Sequence, residues 1–214
     1  MDEEITIINS NTRNEKIKNF FVNNKKNFLV GLSTIFVVII AYLSVVEMKK
    51  QNKIKIANQF NIIIINYKAD DKQTTSDQLI KLIKENDPTY SPLALYFLID
   101  NNLTDDKIEI NSLFDELIYE TSLDEEIKNL IIYKKALFNS NFSTENNLLQ
   151  ILNPIINSDS IWKAHSLYLI AEFFYSKNQK EKAKEFFNKI LLLPNSNNDI
   201  KTESQKRLKR DLGE

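Results

Sequence analysis

The chain is 214 residues long, carries 28 basic and 29 acidic side chains for a net charge of −1, and has no cysteine. Near neutrality leaves no electrostatic footprint for nucleic acid, and without thiols there are no disulfides, no thiolate catalysis and no zinc–thiolate sites. Two glycines and four prolines are too few for the hairpin turns of a sheet protein, which draw on glycine for positive φ, so the composition points to an all-α fold.

Residues 1–27 form a charged tail. Within "EKIKNFF", Ile17, Phe20 and Phe21 lie at i, i+3 and i+4, which predicts a short amphipathic turn whose apolar side rests in a headgroup layer with its lysines among anionic lipids. The next nineteen residues, Phe28 to Val46, contain no charge. At about 1.5 Å per helical residue they just cross a hydrocarbon core about 30 Å thick. The run ends in "YLSVVEMKK", bulky or charged where a signal peptidase needs small residues, so residues 28–46 are expected to be an uncleaved transmembrane helix. A buried core helix of a soluble domain is the alternative, but such helices are rarely apolar on every face or bracketed by lysine pairs such as Lys25, Lys26 and Lys49, Lys50. Flanking charge barely orients the span: Arg13, Lys16, Lys18, Lys25 and Lys26 precede it, and Lys49, Lys50, Lys53 and Lys55 follow it, a slight lean toward a cytoplasmic amino terminus.

Residues 47–214 are enough for one domain with its own core. With the 5 basic and 4 acidic residues of the first 46 set aside, 23 basic and 25 acidic remain. Periodicity predicts helices over 47–68, continuous with the span, then 75–86, 91–102, 107–120, 123–140, 144–157, 160–177, 180–193 and 199–212. Start signals are Thr75 with Gln78 and Ser122 with Glu125 as capping boxes, and Pro92 at a first helical position after Ser91. "NIIIIN" favours strand by propensity, yet its flanks keep it in a helical pattern. The acidic trio Asp124, Glu125 and Glu126 suits a first helical turn, where carboxylates meet free amides and the helix dipole, better than a carboxylate site. The basic end "IKTESQKRLKRDLGE" reads as a solvated last helix. "NLT" at Asn102 and "NFS" at Asn141 match glycosylation sequons that so asparagine-rich a chain supplies by chance.

In "AHSLYLIAEFFYSKNQKEKAKEFFNKILLLPN", Leu167, Ile170, Ala171 and Phe174 make one apolar seam, and Ala183, Phe187 and Ile190 make the seam of the following helix. Small residues at Ala171 and Ala183 let two helices approach closely. The segment 164–197 resembles a tetratricopeptide repeat (TPR), with Asn178 where the turn glycine is usual and Pro194 one residue early. Ala136 lies near one repeat period before Ala171, and the earlier hairpins are TPR-like. The tail, the single span, the hairpin from "SIWKAHSLYLIAEFF" onward and the basic terminal helix together resemble the TPR-like proteins of Gram-negative inner membranes related to the ancillary SecYEG translocon subunit. That resemblance implies a cytoplasmic amino terminus and a periplasmic helical domain beside the Sec translocon and periplasmic chaperones.

Enzymatic chemistry is not expected. His165 is the only histidine, so a His-based metal triad is impossible, and a hydrolase using His165 would need a serine for which no nucleophile elbow exists. With only Gly31 and Gly213, there is no phosphate-cradling loop. No catalytic residue, cofactor or metal is therefore assigned. The resemblance maps a partner-binding groove onto His165, Tyr168, Glu172 and Tyr175, whose spacing of 3, 4 and 3 puts them on one helical stripe, expected to lie opposite the seam. Aromatic and polar groups together suit a peptide or partner helix; packing of Tyr168 and Tyr175 on the neighbouring hairpin is the competing expectation. Trp162 is read as covering the junction with the preceding helix. The chain thus reads as a membrane-anchored interaction module that scaffolds protein export or envelope assembly, the alternative being a cytoplasm-facing adaptor. Expected partners are translocon components, chaperones or client polypeptides.

Overall fold

The computed structural model describes residues 13, 15–68, 70–194 and 197–213; the first twelve residues of the tail, and Asn195 and Ser196 of the repeat segment, lie outside these. The chain divides into two compact units, Met1–Lys55 and Ile56–Glu214. Among the described residues every regular element is helical.

In the first unit residues 15–23 are helical, and Ile17, Phe20 and Phe21 are exposed. The helix α1, Lys25–Asn66, begins immediately after, with the Phe21 and Phe28 rings 4.8 Å apart. It is long and apolar enough to cross a membrane. The large apolar side chains from Phe28 to Val46 are 45% to 67% exposed, so this stretch covers no core of the chain. That separates it from a buried core helix, whose apolar faces meet protein. Thr34 hides its hydroxyl by donating to the Val30 carbonyl at 2.9 Å, which leaves its side chain without an unmet polar demand in an apolar setting.

The second unit opens with the last turns of α1. Ile56 is buried, Phe60, Ile63 and Tyr67 pack on the core, and Ile65 is 81% exposed. The isoleucine run is helical because an amphipathic continuation of α1 packs the partly buried Ile63 on the core; strand propensity gives way to tertiary context. There follow α2 (Lys72–Ile83), α3 (Tyr90–Asp100), α4 (Lys107–Tyr119), α5 (Glu125–Asn139), α6 (Glu145–Ile156), α7 (Lys163–Ser176), α8 (Lys180–Leu191) and α9 (Asn198–Asp211). Each packs on its successor, and α2 with α4, α5 with α7 and α7 with α9 also touch. Short connections make neighbouring helices antiparallel hairpins, and contacts between next-but-one helices stack the hairpins sideways.

Two capping boxes do not form. Because α2 begins at Lys72, Thr75 sits inside it and donates to the Asp71 carbonyl at 3.0 Å; α5 begins after Asp124, not after Ser122. The working caps are Asp106 on the Ile108 and Glu109 amides, Thr144 on the Asn147 amide and Asn197 on the Asp199 amide, each an oxygen meeting an otherwise orphaned N–H. At α3 the Asp87 carboxylate takes the Thr89 and Tyr90 amides, and Pro92 falls within the first turn, where its missing N–H costs nothing. Three turns need a left-handed residue, and asparagine supplies it each time: Asn86, Asn102 and Asn178 have φ of 54°, 49° and 59°. Asparagine tolerates this region better than other side chains do, which is how so few glycines suffice.

Candidate functional site

The seam on α7 and α8 is core. Ile170, Ala171, Ala183, Phe187 and Ile190 are completely buried, with Leu167 and Phe174 nearly so, and α7 with α8 forms the most intimate helix pair of the unit. His165, Tyr168, Glu172 and Tyr175 do share one stripe of α7, but it flanks the seam rather than opposing it. Each stripe residue other than His165 is one position past a seam residue, and one residue is about 100° of helix. The stripe therefore lies at the edge of the packed interface, and all four side chains are half-buried.

Each stripe residue meets groups of this chain. His165 lies against the rings of Trp162 and Tyr133, at centroid distances of 5.2 and 6.0 Å, and Trp162 stacks on Tyr133 of α5 at 5.7 Å, so Trp162 covers a junction between hairpins. Burial lowers the His165 pKa, opposed by the Ile161 carbonyl. Tyr168 stands edge-on to Phe187 at 5.5 Å. Burial pushes its phenol up to about 12, assisted by the negative charge of Glu172 and a hydrogen bond to it. The phenol is accordingly a proton donor across the physiological range.

Glu172 is the pivot. Arg207 of α9 donates to both of its oxygens, through Nε at 2.6 Å and through Nη2, the paired geometry that guanidinium and carboxylate share. The same guanidinium lies 4.6 Å from the centroid of the Tyr175 ring and donates through Nη1 to Asp211 at 2.5 Å. Its hydrogen bond to Glu172 raises the Arg207 pKa, while bonds from Arg210 and then Arg207 hold the Asp211 carboxyl well below the usual range. The stripe's later half thus holds a helix: α9 lies on it, fastened by Arg207 and seated through buried Ser204 and Leu208. Arg207 escaped the sequence reading, although its separation of 35 residues from Glu172 lies near the repeat period expected from the sequence.

Elsewhere, Asp124, Glu125 and Glu126 occupy the start of α5, with Glu126 accepting from the Ser160 hydroxyl at 2.7 Å. Among the described residues no group of three or more histidine, aspartate or glutamate side chains is arranged to hold a metal ion. No protein-family model, curated protein or solved structure matches this chain.

Proposed function

We propose that the chain is a single-span, TPR-like interaction protein of a bacterial inner membrane, its amino terminus cytoplasmic and its helical unit periplasmic, recruiting translocon components, chaperones or clients during protein export. The observation that carries the repeat reading is a spacing. Polar ties recur one period apart: Asn86 with Thr121 at 35 residues, Glu126 with Ser160 at 34, Glu145 with Lys182 at 37 and Glu172 with Arg207 at 35. Hairpins stacked side by side bring residues about one period apart into contact.

The stripe on α7 supports helix capture, since it already grips Arg207 of α9 through the Glu172 carboxylate and the Tyr175 ring face. Aromatic anchors at such surfaces commonly contribute about 2 kcal/mol or more each. The double change Tyr168→Ala, Tyr175→Ala is therefore expected to weaken pull-down of membrane partners from crosslinked membranes, with helical content by circular dichroism nearly intact. A lower melting temperature with normal capture per folded molecule would show that both tyrosines only pack. Protease accessibility of the helical unit in intact and in opened cells tests the side of the membrane.

A further inference from the structure

Away from the α7 stripe, the open side of α3, α4 and α5 encloses a pocket of about 520 Å³, within the range of small-ligand sites. Its walls are aromatic. Phe114, Phe138 and Phe142 follow one another at centroid distances of 6.1 and 5.3 Å, Tyr96 closes another wall, and Leu137 and Phe142 stand exposed at the mouth. Two ammonium groups hang over these rings, Lys107 Nζ at 4.1 Å from the Phe142 centroid and Lys134 Nζ at 4.6 Å from that of Tyr96. A ring face orients a cation without neutralising it.

Unpaired charge distinguishes this pocket from an ordinary gap between helices. Among the described residues neither Lys107 nor Lys134 makes an ion pair, although Lys135, next in sequence, is paired with Asp115 at 2.6 Å. Against these two cations the lining holds one carboxylate, Asp100.

We infer that this pocket binds the carboxy-terminal end of a polypeptide whose last side chain is large and apolar. The terminal carboxylate sits between the ammonium groups of Lys107 and Lys134, and the last side chain lies on the rings of Phe138 and Phe142. Charge complementarity selects a carboxylate, the aromatic walls select a bulky apolar body, and the exposed mouth leaves room for the chain that leads to the terminus. The choice of a polypeptide over a free acid rests on the reading of the chain as an interaction module.

The test uses the full-length protein in phosphatidylcholine nanodiscs and fluorescence anisotropy of a dye-labelled peptide, Gly-Ser-Gly-Ser-Leu-Phe, with a free carboxy terminus. Saturable binding is expected, weakened about tenfold or more by amidating the terminus or by Lys107→Gln with Lys134→Gln, as the loss of charge-assisted hydrogen bonds requires. No saturable binding, equal binding of acid and amide, or an unaffected lysine double variant overturns the site. Competition by 3-phenylpropionate as effective as that by unlabelled peptide overturns the polypeptide assignment. The Tyr168→Ala, Tyr175→Ala protein binds the peptide normally, so failure of the α7 stripe and failure of this pocket are read separately.

Discussion

Asn178 carries the tightest turn of the second unit, between α7 and α8, at φ 59°, with its amide donating to the Tyr175 carbonyl at 2.9 Å. Left-handed backbone costs an ordinary side chain about 1–2 kcal/mol, and a β-branched residue fares worst. Asn178→Val should therefore lower the melting temperature of the full-length protein in nanodiscs, and Asn178→Gly should leave it unchanged or slightly raised. Equal loss in both would mean that the asparagine side chain itself holds the turn. Asn86 is different, because its side chain donates to Glu116 at 3.0 Å and accepts from Thr121 at 2.8 Å. His165 gives a pH test. With its folded pKa lowered by burial beneath an unfolded value of about 6.5, the unfolded chain takes up the proton first. Stability is thus complete above about pH 6.5 and falls as pH drops through the unfolded value toward the folded one. His165→Phe should flatten the decline in melting temperature between pH 7.5 and 5.5; an identical slope in both proteins would place the imidazole in water.

At the scale of helices, the α7–α8 seam makes the sharpest demand. Ala171 and Ala183 are 0% exposed, so the two backbones approach where neither side chain extends past Cβ. Ala171→Leu inserts methylenes into that contact, an overpacking cost of about 1–3 kcal/mol, and thermal unfolding followed by circular dichroism should report it; an unchanged transition would mean that α7 is rotated away from α8. This seam was legible in the sequence, as were nearly all helix positions, because apolar residues at 3.6-residue spacing mark the buried face and polar turns mark the ends. Capping was less legible. Thr75 and Ser122 satisfy the same short pattern as true caps, and only the start of the helix, fixed by packing, decides whether such an oxygen meets an orphaned amide or a carbonyl one turn back. The stripe's residues were legible and its orientation was not: the facing of Tyr168 toward Phe187 follows from how α7 rolls on α8. The α3–α5 pocket left no local signal at all, being assembled from side chains of three helices and the following turn.

At the scale of the whole second unit, four polar ties spanning 34 to 37 residues join successive hairpins, and the Glu172–Arg207 pair is the last of them. Both side chains are less than a third exposed, at 30% and 17%, so solvent screens the pair less than it would a surface pair. Removing the cation alone leaves a half-buried carboxylate that has lost both of its guanidinium bonds, and hydrogen bonds to charged groups are worth about 1.5–3 kcal/mol. Arg207→Ala should therefore destabilise the protein by about 1–3 kcal/mol, with the first loss at α9, which owes its seat to Ser204, Leu208 and this guanidinium. Part of that cost is lost contact of Arg207 with Tyr175 and Asp211, so the single variant does not isolate the clamp. Combining it with Glu172→Gln does. If the pair fastens α9, Arg207→Ala should cost less in the Glu172→Gln background than in the native one, with a coupling of about 0.5 kcal/mol or more by chemical denaturation, and hydrogen exchange should speed up in α9 before it does in α2 to α6. Additive effects would assign the seating of α9 to its apolar contacts alone, and simultaneous loosening of every helix would mean that the second unit unfolds as one cooperative body rather than from its end.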